Sequence, residues 1–69
     1  SLADILTSLV MRANPVTTVE RPSELDQKLI WVVGPDPDVP DQQIVLITTR
    51  DAATRNSYTL PTAFQPETP

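Results

Sequence analysis

LIWVVGPDPDVPDQQIVLI, Leu29 to Ile47, is the stretch whose reading decides the fold. Two apolar runs, Leu29–Val33 and Ile44–Ile47, flank a segment in which proline and aspartate alternate. Both runs are rich in β-branched residues and short, and they predict strands over 28–34 and 43–49. Neither run alternates polar with apolar residues. A strand that is apolar on both sides is a strand covered on both faces.

What could cover them follows from the residues on either side. SLADILTSLVMRANP opens the chain. Leu2, Ile5, Leu6, Leu9 and Val10 recur at the spacing of one helical face, and the pattern predicts an amphipathic helix over 2–12. Ser1 suits the N-cap, with Asp4 three positions on. Asp4 in the first turn and Arg12 in the last both oppose the helix dipole's charge. Asn14 precedes Pro15, which biases it away from helical backbone and ends the element. One helix of about three turns covers one face of a small sheet. The second face then needs another cover: a further subunit, a larger protein, or the C-terminal segment folding back with Phe64.

The remaining segments are less periodic. Pro15–Glu20 is extended in character and reads as a short edge strand. Pro22–Asp26 reads as a turn or a single helical turn with Ser23 as its cap. Arg50–Asn56 breaks the strand pattern, and Ser57–Pro61 reads as a third strand forming an antiparallel hairpin with 43–49. The expected architecture is therefore a small single α+β domain over 1–64. An N-terminal amphipathic helix packs on a short, mostly antiparallel sheet of three to four strands. A proline-punctuated tail, extended or mobile over 65–69, completes it.

Composition narrows the function classes. The chain has 69 residues, which makes it one domain at most, and a domain of this size buries only roughly 60% of its unfolded surface. Cysteine and histidine are both absent. Disulfides and thiolate metal sites are therefore impossible, and the commonest metal ligand and general base are missing. Oligomerisation, docking on a larger partner, or an unusually good small core are the remaining routes to stability. Nine acids face five scattered bases, a net charge of −4. Nucleic-acid binding needs a concentrated basic face, which the sequence lacks. No apolar run reaches the length of a membrane span. Nor does the N-terminus show the basic and apolar regions of a signal peptide. A virion or the cytoplasm is the expected location.

Asp36, Asp38 and Asp41 are the densest carboxylate group. A calcium loop wraps its backbone round the ion, uses a glycine for the sharp turn and closes with a bidentate glutamate. Here Pro35, Pro37 and Pro40 hold the chain extended, and no metal or other cofactor is expected. The segment reads first as a stiff acidic connector that keeps the sheet end from edge-to-edge pairing. The alternative is a rigid recognition loop, since a preorganised loop loses less entropy on binding. Arg50 and Arg55 invite a phosphate or carboxylate, but Asp51 beside them suits a surface ion pair. Trp31 reads as core. No catalytic constellation is present: the usual base and nucleophiles, the G-x-S-x-G turn and the phosphate-cradling glycine loop are all missing.

Two function classes remain. The first is a non-enzymatic structural protein that buries sheet surface against copies of itself or a larger partner, with a bacteriophage coat, decoration or minor capsid subunit as the expected type. The second is a small acidic inhibitor or regulator of a basic protein, through electrostatic complementarity. The candidate partner-binding residues are Leu2, Ile5, Leu6 and Leu9 on the helix, Asp36, Asp38 and Asp41 in the loop, and Phe64 in the tail.

Overall fold

The structure is a computed structural model and describes residues 1–66. The elements in chain order are α1 (Leu2–Ala13), β1 (Leu29–Pro35), β2 (Gln43–Thr49), α2 (Arg50–Arg55) and a 3-10 turn at Thr62–Phe64. One long helix lies beside a two-stranded antiparallel sheet, a mixed α+β arrangement.

Helix α1 forms as its sequence dictates. The Asp4 N–H donates to the Ser1 hydroxyl at 3.3 Å, and Asn14 takes up extended backbone ahead of Pro15. Its apolar stripe is divided, however. Val10 is buried and Leu6 packs against the core, whereas Leu2, Ile5 and Leu9 stay exposed.

Strands β1 and β2 pair with each other across the acidic loop, with Trp31 opposite Ile47 and Val32 opposite Leu46. This corrects the expected hairpin between 43–49 and 57–60. Among the described residues the sheet has two strands, so the expected third strand at 57–61 is absent. The reason lies in the segment between. Thr49 caps α2 by accepting from the Ala52 N–H at 3.1 Å, and Asp51 sits in its first turn. Ser57 then adopts φ 60°, the left-handed conformation that stops helices. The Tyr58 N–H bonds back to the Ala53 carbonyl and the Ser57 N–H to the Thr54 carbonyl. These are the paired bonds of a Schellman turn. They send Tyr58 back over the sheet instead of alongside β2. Pro15–Glu20 is likewise irregular and not a strand.

The core consists of Val10, Ile30, Trp31, Val32, Ala53 and Phe64, with Leu6, Leu29, Leu46, Tyr58 and Leu60 packed around it. Each fully buried Val, Ile or Phe among them contributes roughly 1.5–3 kcal/mol when removed from water. The tail contributes directly: Phe64 is fully buried and meets Trp31 edge-on, with ring centroids 6.0 Å apart. The part of the expected extended tail beyond Pro66 lies outside the described residues.

Three buried polar side chains hold the irregular segments in place. Asn14 donates to the Val16 and Asp26 carbonyls and accepts from the Lys28 and Leu29 N–H groups. Gln27 donates to the Val10 and Leu29 carbonyls. Arg50 donates to the carbonyls of Gln27, Phe64, Pro22 and Glu24 at 2.6 to 3.2 Å. The 15–28 segment has no regular ladder, so these side chains satisfy backbone groups that would otherwise be buried without partners.

Candidate functional site

The acidic loop closes on itself. The Asp36 N–H donates to the Gln42 carbonyl at 2.8 Å, and the Gln42 N–H to the Val39 carbonyl at 2.9 Å. The Asp36 carboxylate accepts from the Asp38 N–H at 2.8 Å, an Asx turn that holds the loop's first bend. Asp38 and Asp41 are exposed. Among the described residues no three acidic groups stand close enough to hold a metal ion. The turn is self-contained, with the Asp36 carboxylate held by its own backbone and Asp38 and Asp41 exposed.

Arg50 is not the anion-gripping residue that its position beside Arg55 suggested. It is buried, all four of its side-chain bonds go to backbone carbonyls, and none goes to Asp51. Burial lowers the pKa of its guanidinium, but an arginine keeps its charge over the ordinary range. The sequence signal for this role is faint. Arg50 is the first residue after an apolar strand, where the chain turns inward.

The surface that stands out is apolar and lies on two elements. The first is β2. The Arg50 N–H bonds to the Lys28 carbonyl and the Asp36 N–H to the Gln42 carbonyl, one bond at each end of the ladder. In an antiparallel pair with this register, the even-numbered residues of β2 therefore direct their backbone groups at β1. Val45 and Ile47 direct theirs away from β1. No charged residue and no proline occurs between Gln43 and Thr49 to blunt this edge. The side chains of Val45 and Ile47 are also exposed, beside Val33 of β1. The C-terminal segment covers this face at Trp31, through Phe64, and its Thr59, Leu60 and Pro61 border a groove with Val33 and Gln43, while Val45 and Ile47 stay exposed.

The second element is α1. Leu2, Ile5 and Leu9 form a row on its outer side, and a shallow groove there is lined by Ser1, Asp4, Ile5, Ser8, Leu9 and Arg12. Of the residues singled out from sequence, Leu2, Ile5 and Leu9 thus share one exposed face. Leu6 and Phe64 belong to the core and are not available to a partner. Asp36, Asp38 and Asp41 sit together on the hairpin loop and take no part in the α1 groove. Sequence reading missed Val33, Val45 and Ile47, because strand alternation does not show which side of an apolar run meets water. Among the described residues no helix is long and apolar enough to cross a membrane.

No family model matches this chain, and no curated protein or solved structure resembles it closely enough to count as similar.

Proposed function

We propose that this chain is a non-enzymatic structural subunit that buries its sheet against copies of itself, as a bacteriophage coat, decoration or minor capsid protein would. The observation that carries the reading is β2: an open, uncharged edge whose side chains on one face are aliphatic and exposed. A two-stranded sheet is marginal in water, and a third strand or a second layer stabilises it. Among the described residues the chain adds no third strand beside β2 and leaves Val45 and Ile47 exposed. Adding a strand or face from a neighbouring copy would satisfy the outward-directed backbone groups of Val45 and Ile47 and cover Val33 in one step. The choice of a virion within the assembly class rests on composition: a small, acidic, cysteine-free chain rich in proline and threonine.

Absolute mass by light scattering behind size exclusion, over a range of concentration and salt, tests the reading. A discrete oligomer or shell is expected. A soluble monomer at every concentration overturns it and favours the second reading, an acidic binding module, which the exposed carboxylates of Asp38 and Asp41 support. That reading expects partner binding to weaken with salt and on neutralising Asp36, Asp38 and Asp41 to Asn.

A further inference from the structure

We infer that two copies of this chain associate through the outer face of α1, antiparallel across a twofold axis near Ser8. The inference rests on the assembly reading above and names one of its contacts. Leu2, Ile5 and Leu9 are 65%, 65% and 55% exposed, although Leu6 and Val10 of the same helix turn into the core. Their spacing of three and four residues aligns them in a single row, the pattern by which one helix packs against another. No part of the described chain covers the row.

Charge selects the occupant. Asp4 and Arg12 line the same groove, on either side of Ser8 and four residues from it. When a second copy of α1 lies antiparallel with the axis at Ser8, Asp4 of each copy stands opposite Arg12 of the other. The contact is isologous, so this ion pair forms twice. Ile5 and Leu9 of each copy interdigitate beside the axis, and the small Ser8 side chain lets the helices approach to the usual roughly 8–10 Å. A basic partner would meet Arg12 and an acidic one would meet Asp4. The inverted copy matches both. An anionic lipid surface would meet a chain of net charge −4. In the isolated chain the Asp4 carboxylate lies 3.7 Å from the terminal amine of Ser1, an exposed pair of little strength that a second copy displaces. One face of a 12-residue helix falls short of the roughly 800 Å² per partner of a stable complex. The pair is therefore a concentration-dependent dimer that the open β2 extends in a larger assembly.

The test uses sedimentation equilibrium of the whole chain from micromolar to millimolar concentration, with circular dichroism to verify the helix of each variant. Ile5→Asp, at an exposed position, is expected to weaken self-association at least about tenfold. Asp4→Lys and Arg12→Glu, each alone, are expected to weaken it through like-charge contacts. An equimolar mixture of those two variants is expected to recover wild-type association. In the mixed dimer the introduced lysine faces the introduced glutamate, and the retained Arg12 of one copy faces the retained Asp4 of the other. A change that merely disturbed the helix would not recover on mixing. An oligomer unaffected by all three changes, or a mixture that stays dissociated, overturns the α1 contact and leaves the assembly reading standing. A wild-type monomer overturns both, as does a monomer that binds phosphatidylserine vesicles through Ile5, which would assign the face to lipid.

Discussion

The runs LIWVV and IVLI are near twins in composition and meet opposite fates. In β1, Ile30, Trp31 and Val32 are all buried, so both sides of the strand are covered. In β2, half the side chains are partly covered and the alternate ones, Val45 and Ile47, are open to solvent. The two strands pair with each other, so the sheet itself does not distinguish them. What distinguishes them is everything packed beyond. α1 lies against β1, the Trp31 indole N–H donates to the Thr7 hydroxyl at 3.0 Å, and Phe64 closes over the ring. Against β2 the cover is one-sided: Leu46 packs on the core, while Val45 and Ile47 stay exposed. Apolar content alone therefore fixes that a segment is a strand, while its neighbours decide how much of it is buried.

The largest expected effect strikes the clasp that makes β1 interior. Arg50→Met removes four hydrogen bonds to buried or partly buried carbonyls and frees both the 22–27 segment and Phe64. Orphaned buried acceptors cost about 1–3 kcal/mol each, and a loss of at least about 3 kcal/mol is expected in urea or thermal unfolding. A change under about 1 kcal/mol would mean that β1 is interior without the clasp.

The same substitution in the two strands measures the contrast itself. Ile30→Ala is expected to destabilise the monomer by about 2–4 kcal/mol, and Ile47→Ala by under about 1 kcal/mol. Ile30 is fully buried, while Ile47 is 52% exposed. Equal effects at low protein concentration would erase the distinction. If Ile47→Ala instead lowers stability only where the chain self-associates, the open face is covered in the assembly.

Gly34 marks where the even-numbered face of the hairpin is closed by Tyr58. A Cβ there would lie 2.7 Å from Tyr58 Cε1 and 3.3 Å from Leu46 Cδ1, well inside contact distance. Gly34→Ala is expected to cost about 1–3 kcal/mol and to shift the near-ultraviolet dichroism of Tyr58. Ser57→Gly should act in the other direction, stabilising by about 0.5–1 kcal/mol, because glycine adopts φ 60° without strain. A destabilising result would mean that the turn over β2 needs more than its backbone angle.

The smallest effect is expected from Glu24, on the exposed loop beside the Arg50 clasp. Its carboxylate accepts from the Arg21 N–H at 2.7 Å and the Glu20 N–H at 2.8 Å. These bonds, the Arg21 one first, hold its pKa below the ordinary 4.5. A depressed folded-state pKa means stability that is present above pH 4.5 and lost as pH falls through the lower folded value. Comparing Glu24→Ala with the parent chain by thermal melts from neutral pH to acid should show a difference that shrinks below pH 4.5. A constant difference would show that the turn does not depend on the charge.

Much of the local structure was legible from spacing alone. The stripe of α1, its Ser1 cap and its stop before Pro15 are local signals, and the strand at 43–49 was read to its ends. The third strand failed because Ser57–Pro61 carries strand-like residues while the turn before it dictates direction. Thr49, Asp51 and Ala52–Ala53 in a row were the available sign of α2, overridden by the strand signals on both sides. At the candidate surface, the exposure of Leu2, Ile5 and Leu9 was not legible. The helical stripe is one continuous arc in sequence, and it is the placement of β1 against Leu6 and Val10 that divides it.

By itself the sequence determined the helix at the N-terminus and the two central strands, because capping, proline and side-chain periodicity act within a few residues. It also determined that the loop at 34–43 is stiff and acidic and that cysteine and histidine chemistry is absent. Only the tertiary structure decided which strand is interior, which strands pair, and that Arg50 binds carbonyls instead of an anion. Those outcomes depend on contacts between residues far apart in the chain, as in the bond from Arg50 to the Pro22 carbonyl, 28 positions away. Their energies arise only when the packed core removes water from the groups that meet.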